Sequence, residues 1–209
     1  MRSTAFSVHP GLAESSRLPL VTSEARPSDL AAWLLLLGAG ATAALATALL
    51  EMGLRIPGHA IVRAVFPMAF GLALVPRRMG GMVMAAGALG TALVIHAGAW
   101  AVIGFGAMTS LVLTGPLLDV ALWRAGRGWR LYLGFVLAGL ASNLAALATR
   151  AGAKFFGFDH AVGKPLAYWL PQAVGTYAIC GALAGLISAL VWFQFSADRR
   201  GNSASETGS

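Results

Sequence analysis

Long apolar runs separated by short charged segments organise this chain. Leu30 to Leu50 is uninterrupted apolar sequence, introduced by Ser28-Asp29 as a helix cap. Glu51 to His59 (EMGLRIPGH) reads as a loop with a Pro-Gly turn, and Ala60 to Val75 as a shorter run carrying Arg63 near its start. Pro76-Arg77-Arg78 ends that second run. Met82 to about Ile95 continues into Gly98 and Trp100 as a small-residue-rich third, and Phe105 to Trp123 is a fourth with Gly115-Pro116 as a predicted kink. Arg124, Arg127 and Arg130 form a basic connector to a fifth run, Leu131 to Thr149. A polar loop from Arg150 to Lys164 leads to the sixth, Tyr168 to Phe195. A helix needs about 20 apolar residues to cross a ~30 Å hydrocarbon core. The expectation is therefore an all-α integral membrane bundle of about six transmembrane helices over 30–195, flanked by polar disordered tails, 1–29 and 196–209. The boundary between the third and fourth helices is the least defined, and an outer loop or a re-entrant turn would fit it. The first 29 residues lack the apolar core of a signal peptide.

Composition agrees with the pattern. Of 209 residues, 57% are apolar and only 11% charged, and the mean hydropathy is +0.73. A soluble domain carries about 25% charge, so a water-soluble globule, a disordered chain and a charged coiled coil are all disfavoured. The lone Cys180 removes disulfide scaffolds and cysteine-based zinc sites. The net charge of +7 comes from 15 basic residues scattered along the chain rather than from a nucleic-acid-binding block. Six crossings put both termini on one side. The tails and the connectors after the second and fourth helices hold ten of those 15, and the opposite side holds Arg55, Arg63, Arg150, Lys154 and Lys164. The positive-inside rule then places both termini in the cytoplasm of a multi-pass cell-membrane protein.

Small residues recur four apart in the first helix at Gly40, Ala44 and Ala48 and at Ala39 and Ala43. Such a face lets another backbone approach closely in lipid, either inside the bundle or on a separate membrane subunit. Gly80, Gly87 and Gly90 repeat the theme and are expected to serve internal packing. On the outer face, Glu51, Arg55, His59 and Arg63 cluster around the first loop, His96 ends the third helix, and Arg150, Lys154, Asp159, His160 and Lys164 fill the last outer loop. Histidine is a common transition-metal ligand, but no two of these stand at helical ligand spacing, so no metal site and no cofactor is assigned. The basic residues suit an anionic substrate, or simple snorkelling at helix ends. Arg63, one turn into a span, needs a cavity or a partner, for which Glu51 is a candidate. Asp119 is expected to pair with Arg124, Arg77 or Arg78. Asn143 is a lone amide that glues helices or contacts a ligand. Trp100, Trp123, Trp129, Tyr168, Trp169 and Trp192 are placed near interfaces, as an aromatic belt would be.

No G-x-x-x-x-G-K-[ST], H-E-x-x-H, G-x-S-x-G or CxxC motif occurs, so neither ATP hydrolysis by the Walker mechanism nor a familiar hydrolytic centre is encoded here. The chain is not expected to be an enzyme.

The alanine-rich first helix, LRIPGHAIVRAVFPMAFGLALVPRRMGG, the glycine-rich third helix, GPLLDVALW and LAGLASNLAALATR together resemble the substrate-binding S components of energy-coupling factor (ECF) transporters. The likeness covers about 30–195 and is one of architecture and local composition. It implies a six-helix subunit that captures a vitamin, a vitamin precursor or a metal ion from outside. It also implies docking through the first-helix face (Ala39, Gly40, Ala43, Ala44, Ala48) onto a transmembrane coupling subunit driven by ATPase subunits. By position, the implied substrate contacts are Arg55, His59, Arg63, His96, Asn143 and Lys154. A metal-type member is expected to begin with a histidine-bearing N-terminus; His9 stands alone in a polar tail, which counts against that subtype. The alternatives are a non-transporting membrane scaffold or assembly protein and, more remotely, a small intramembrane enzyme.

Overall fold

The computed structural model describes residues 7–18, 29–50, 58–157 and 166–195. Their regular structure is helical: α1 (Pro10–Ser15), α2 (Asp29–Leu49), a 3-10 turn (His59–Ile61) leading into α3 (Val62–Leu74), α4 (Gly80–Ala97), α5 (Phe105–Leu122), α6 (Trp129–Phe155) and α7 (Leu166–Trp192). Helices satisfy their own backbone groups, the condition for crossing lipid. Five of them, α2, α4, α5, α6 and α7, are long and apolar enough to cross a membrane, so the chain is compatible with a multi-pass membrane protein. With α3 they make the six expected runs. The uncertain boundary resolves into two antiparallel helices, α4 and α5, joined by residues 98–104. Helix α5 runs on through Pro116.

Helix α3 is short but central. Val65, Met68, Ala69 and Ala73 are fully buried, and α3 packs against α2, α4 and α7. Around it the helices meet at glycines. A Cβ on Gly81 would lie 2.1 Å from the Gly115 carbonyl oxygen, and one on Gly115 would lie 2.0 Å from that of Gly81, so α4 and α5 touch backbone to backbone. Gly139 and Gly181 join α6 to α7 in the same reciprocal way, and Gly40 joins α2 to the Met84 carbonyl of α4. This is the packing that lipid-embedded helices use, since dispersion rather than hydrophobic exclusion holds them together. Gly80 and Gly87 pack internally as expected, whereas Gly90 faces open space.

Two expectations are corrected at the end of the bundle that holds residues 7–18 and the last turn of α7. Residues 7–18, read as part of a disordered tail, form an ordered strap. His9 N–H donates to the Pro76 carbonyl (2.7 Å), Ser16 Oγ–H to Ala73 (2.8 Å) and Arg17 N–H to Trp192 (3.0 Å). The His9 imidazole joins the Leu122 carbonyl through Nε2 (2.8 Å) and accepts the Leu12 N–H at Nδ1 (3.2 Å). The carbonyls of Ala73, Leu122 and Trp192 belong to the last turns of α3, α5 and α7, which helix geometry leaves without intrahelical donors. The strap supplies them, and polar composition concealed it. Its contacts also show that the N-terminal segment and the end of α7 lie at one end of the bundle. The second correction is Trp192, which is half-buried and packs at a tilt against Phe66 and Phe70 (centroids 5.1 and 4.7 Å) rather than joining a belt. Trp100, Trp123 and Trp129 are exposed near helix ends, as a belt requires.

Candidate functional site

The opposite end of the bundle gathers a polar and aromatic cluster between α6, α7 and the turn before α3. On α6, Asn143, Leu147, Arg150 and Lys154 fall three or four residues apart and share one face. On α7, Trp169, Ala173 and Tyr177 do the same. The two faces meet, with Leu147, Ala173 and Tyr177 forming a small buried apolar cluster of their own.

Asn143 is at the base, 2% exposed. Its Nδ2 donates to the Tyr177 carbonyl (2.7 Å) and to the Gly58 carbonyl (3.1 Å). One amide thus ties α6, α7 and the segment entering α3. Gly58 sits there with φ +86°, and a Cβ on it would come within 3.0 Å of both the Asn143 amide and Tyr177. A side chain would be strained and crowded at once. Higher up, Arg150 Nη1 donates to the Tyr177 hydroxyl (3.4 Å). The Arg150 guanidinium and the Lys154 ammonium lie 5.9 and 5.6 Å from the Trp169 ring centroid, within cation–π range. The arrangement presents hydrogen-bonding groups, an aromatic plane and two cations at one end of two long helices. It suits a small ligand with an apolar or planar body and an anionic group.

The expected substrate contacts divide. Asn143 and Lys154 belong to this cluster, and His59 is half-buried in the 3-10 turn directly after Gly58. Arg63 does not: its Nη1 donates to the carbonyls of Thr47 (3.3 Å) and Leu50, capping the end of α2. A cation there also complements the helix dipole. His96 is exposed on the last turn of α4. Arg55, with the Glu51 proposed as partner to Arg63, lies outside the described residues. Trp169 and Tyr177, absent from the expected contacts, join the cluster, and their eight-residue spacing with Ala173 between them marks one helix face. Among the described residues no group of three or more His, Cys, Asp or Glu is placed to hold a metal ion.

The residues expected to dock a partner are spent inside the bundle. Ala43 and Ala44 are fully buried and Ala39 nearly so. Gly40 has the Met84 carbonyl where its Cβ would stand, and Ala48 is half-buried. The close-approach reading of this face holds, and the backbone it receives is that of α4. Asp119 departs from its expected arginine pairs: its two oxygens accept the N–H groups of Gly81 (2.9 Å) and Met82 (2.7 Å), so a side chain of α5 caps α4. Arg77 pairs with Asp29 instead (2.7 Å), and Arg78 stacks on Trp123. Comparison with known protein families, with curated proteins and with solved structures finds no match to this chain.

Proposed function

We propose that this protein is the substrate-capturing membrane subunit of an importer of the energy-coupling factor type, with ATP hydrolysis on partner subunits. The observation that carries the reading is the convergence of Asn143, Tyr177, Arg150, Lys154 and Trp169 at the end of the bundle away from the termini. The ten-to-five distribution of basic residues supports placing that end outside the cell and both termini in the cytoplasm. A vitamin or vitamin precursor with a planar body and an acidic group fits the cluster's chemistry best. Lacking a nucleotide motif, the chain relies on ATPase subunits reached through a transmembrane coupling subunit. Because Ala39, Gly40, Ala43 and Ala44 are buried, that contact uses other surfaces of the bundle.

Native mass spectrometry of the gently purified full chain, before and after denaturation, tests the proposal. A released vitamin-like mass, lost in Trp169→Ala and Lys154→Gln while thermal stability is kept, supports it. A protein that is empty and takes up no member of a vitamin panel would turn the assignment to the scaffold reading.

A further inference from the structure

A second candidate site lies at the terminus-bearing end, on the outer surface of the bundle. Helices α5 and α6 border an open groove there of about 430 Å³, within the size range of small-molecule sites. Val120, Leu133 and Leu137 form its apolar walls, and Trp123, Arg124 and Arg130 also line it. The hollow follows from the sequence. Gly134 brings α6 so close to α5 that a Cβ there would lie 2.7 Å from Leu122 Cδ2. Ala121 and Ala125 leave the floor low, while the larger residues on either side stand out as walls. Val120, Leu133 and Leu137 are all exposed, and in a chain that spans a bilayer this face meets lipid. Among the described residues lining the groove none is acidic. The Arg130 guanidinium lies 5.9 Å from the exposed Trp129 ring, an aromatic and cationic pair typical of headgroup depth.

We infer that this groove is a binding site for one anionic phospholipid, its acyl chain between Val120, Leu133 and Leu137 and its phosphate at Arg124 and Arg130. The occupant is set by charge complementarity. Apolar walls alone would accept any lipid tail, and two arginines in a lining that holds no carboxylate select a negative headgroup, the nearby Glu14 being paired with Arg127 and Asp119 with the amides of Gly81 and Met82. The inference needs only that the chain spans a membrane, and stands apart from the importer proposal.

Native mass spectrometry of the full chain from mild detergent, with equimolar dioleoylphosphatidylglycerol and dioleoylphosphatidylcholine, provides the test. Two basic residues at an anionic surface correspond to a preference of about 30-fold for phosphatidylglycerol. The Arg124→Gln/Arg130→Gln variant is expected to lose most of it, and the charge-matched Arg199→Gln/Arg200→Gln variant to keep it. Leu137→Trp fills the groove but spares both arginines, and is expected to lose the bound lipid at unchanged thermal stability. Equal loss in the tail variant would reduce the effect to general surface charge and overturn the site. So would lipid retention by Leu137→Trp, a wild-type chain without preference, or a dimer closed over this groove.

Discussion

Replacing Gly115 by alanine adds one methyl group at one of the tightest places in the bundle. The new Cβ would lie 2.0 Å from the Gly81 carbonyl oxygen and 2.7 Å from its carbon, against an ordinary contact of at least 3.4 Å. Both obstacles are backbone, so no side chain can swing aside, and α4 must withdraw by about 1.4 Å. Asp119 lies one helical turn further along the same face of α5. Its bonds of 2.9 and 2.7 Å to the amides of Gly81 and Met82 would stretch well past hydrogen-bonding distance. Overpacking costs about 1–3 kcal/mol, and loss of charge-assisted bonds adds about 1.5–3 kcal/mol each. Partial relaxation brings the expected total to about 3–5 kcal/mol. For a chain of this size that lowers the melting temperature by roughly 10 °C. Thermal unfolding in mild detergent, followed by size-exclusion chromatography, measures it. Gly90→Ala is the control: with open space around it, it should be neutral or gain up to about 1 kcal/mol of helix propensity. Asp119→Ala should lose only the capping share. A Gly115→Ala protein as stable as wild type would refute backbone contact between α4 and α5.

Three further outcomes follow from particular contacts. Burial first, and then the Arg78 charge, hold the His9 pKa below its usual 6.5 against the opposing pull of the Leu122 carbonyl; its Nδ1 must stay unprotonated to accept the Leu12 amide. The strap is therefore at full stability above pH 6.5 and weakens as pH falls from there toward the lowered pKa, which hydrogen exchange at residues 9–17 should record as falling protection; a flat profile would contradict the neutral imidazole. Arg63→Ala should fray the last turn of α2, raising exchange at the end of that helix and costing about 1–3 kcal/mol, and an unchanged turn would return Arg63 to the list of ligand contacts. Ala99 holds φ +52° on an exposed turn, so Ala99→Gly should raise stability by about 1 kcal/mol in thermal unfolding; a loss would show that the left-handed conformation carries no strain.

Burial explains which residues of the candidate site could be read in advance. Asn143 stood out because an amide in an apolar run needs a partner, and it does tie three segments together. Lys154 and His59 were visible as polar residues at the same end as the cluster. Trp169 and Tyr177 were not, because an aromatic residue in a membrane helix has several equally common uses, and only the facing stripe on α6 selects among them. Arg63 and Asp119 read as charges in need of partners; Asp119 departs from its expected arginines, while the Glu51 offered as partner to Arg63 lies outside the described residues. Both bind backbone at a helix end, Arg63 the carbonyls of α2 and Asp119 the amides of α4. Side-chain charges can be counted along a sequence, whereas the unpaired groups at helix ends carry no residue label.

The sequence by itself determined the class of this protein. Six apolar runs, their lengths and the charged segments between them lead to helix as the backbone solution and are compatible with lipid as the solvent, because both follow from local composition. Tertiary structure decided how the helices touch and therefore what each small or polar residue is for. Gly40, Ala43 and Ala44 look the same in sequence whether they meet a partner subunit or α4, and only the neighbouring backbone settles it. The strap of residues 7–18 was concealed for the same reason: its stability comes from carbonyls contributed by α3, α5 and α7, distant in the chain and adjacent only once the bundle has formed.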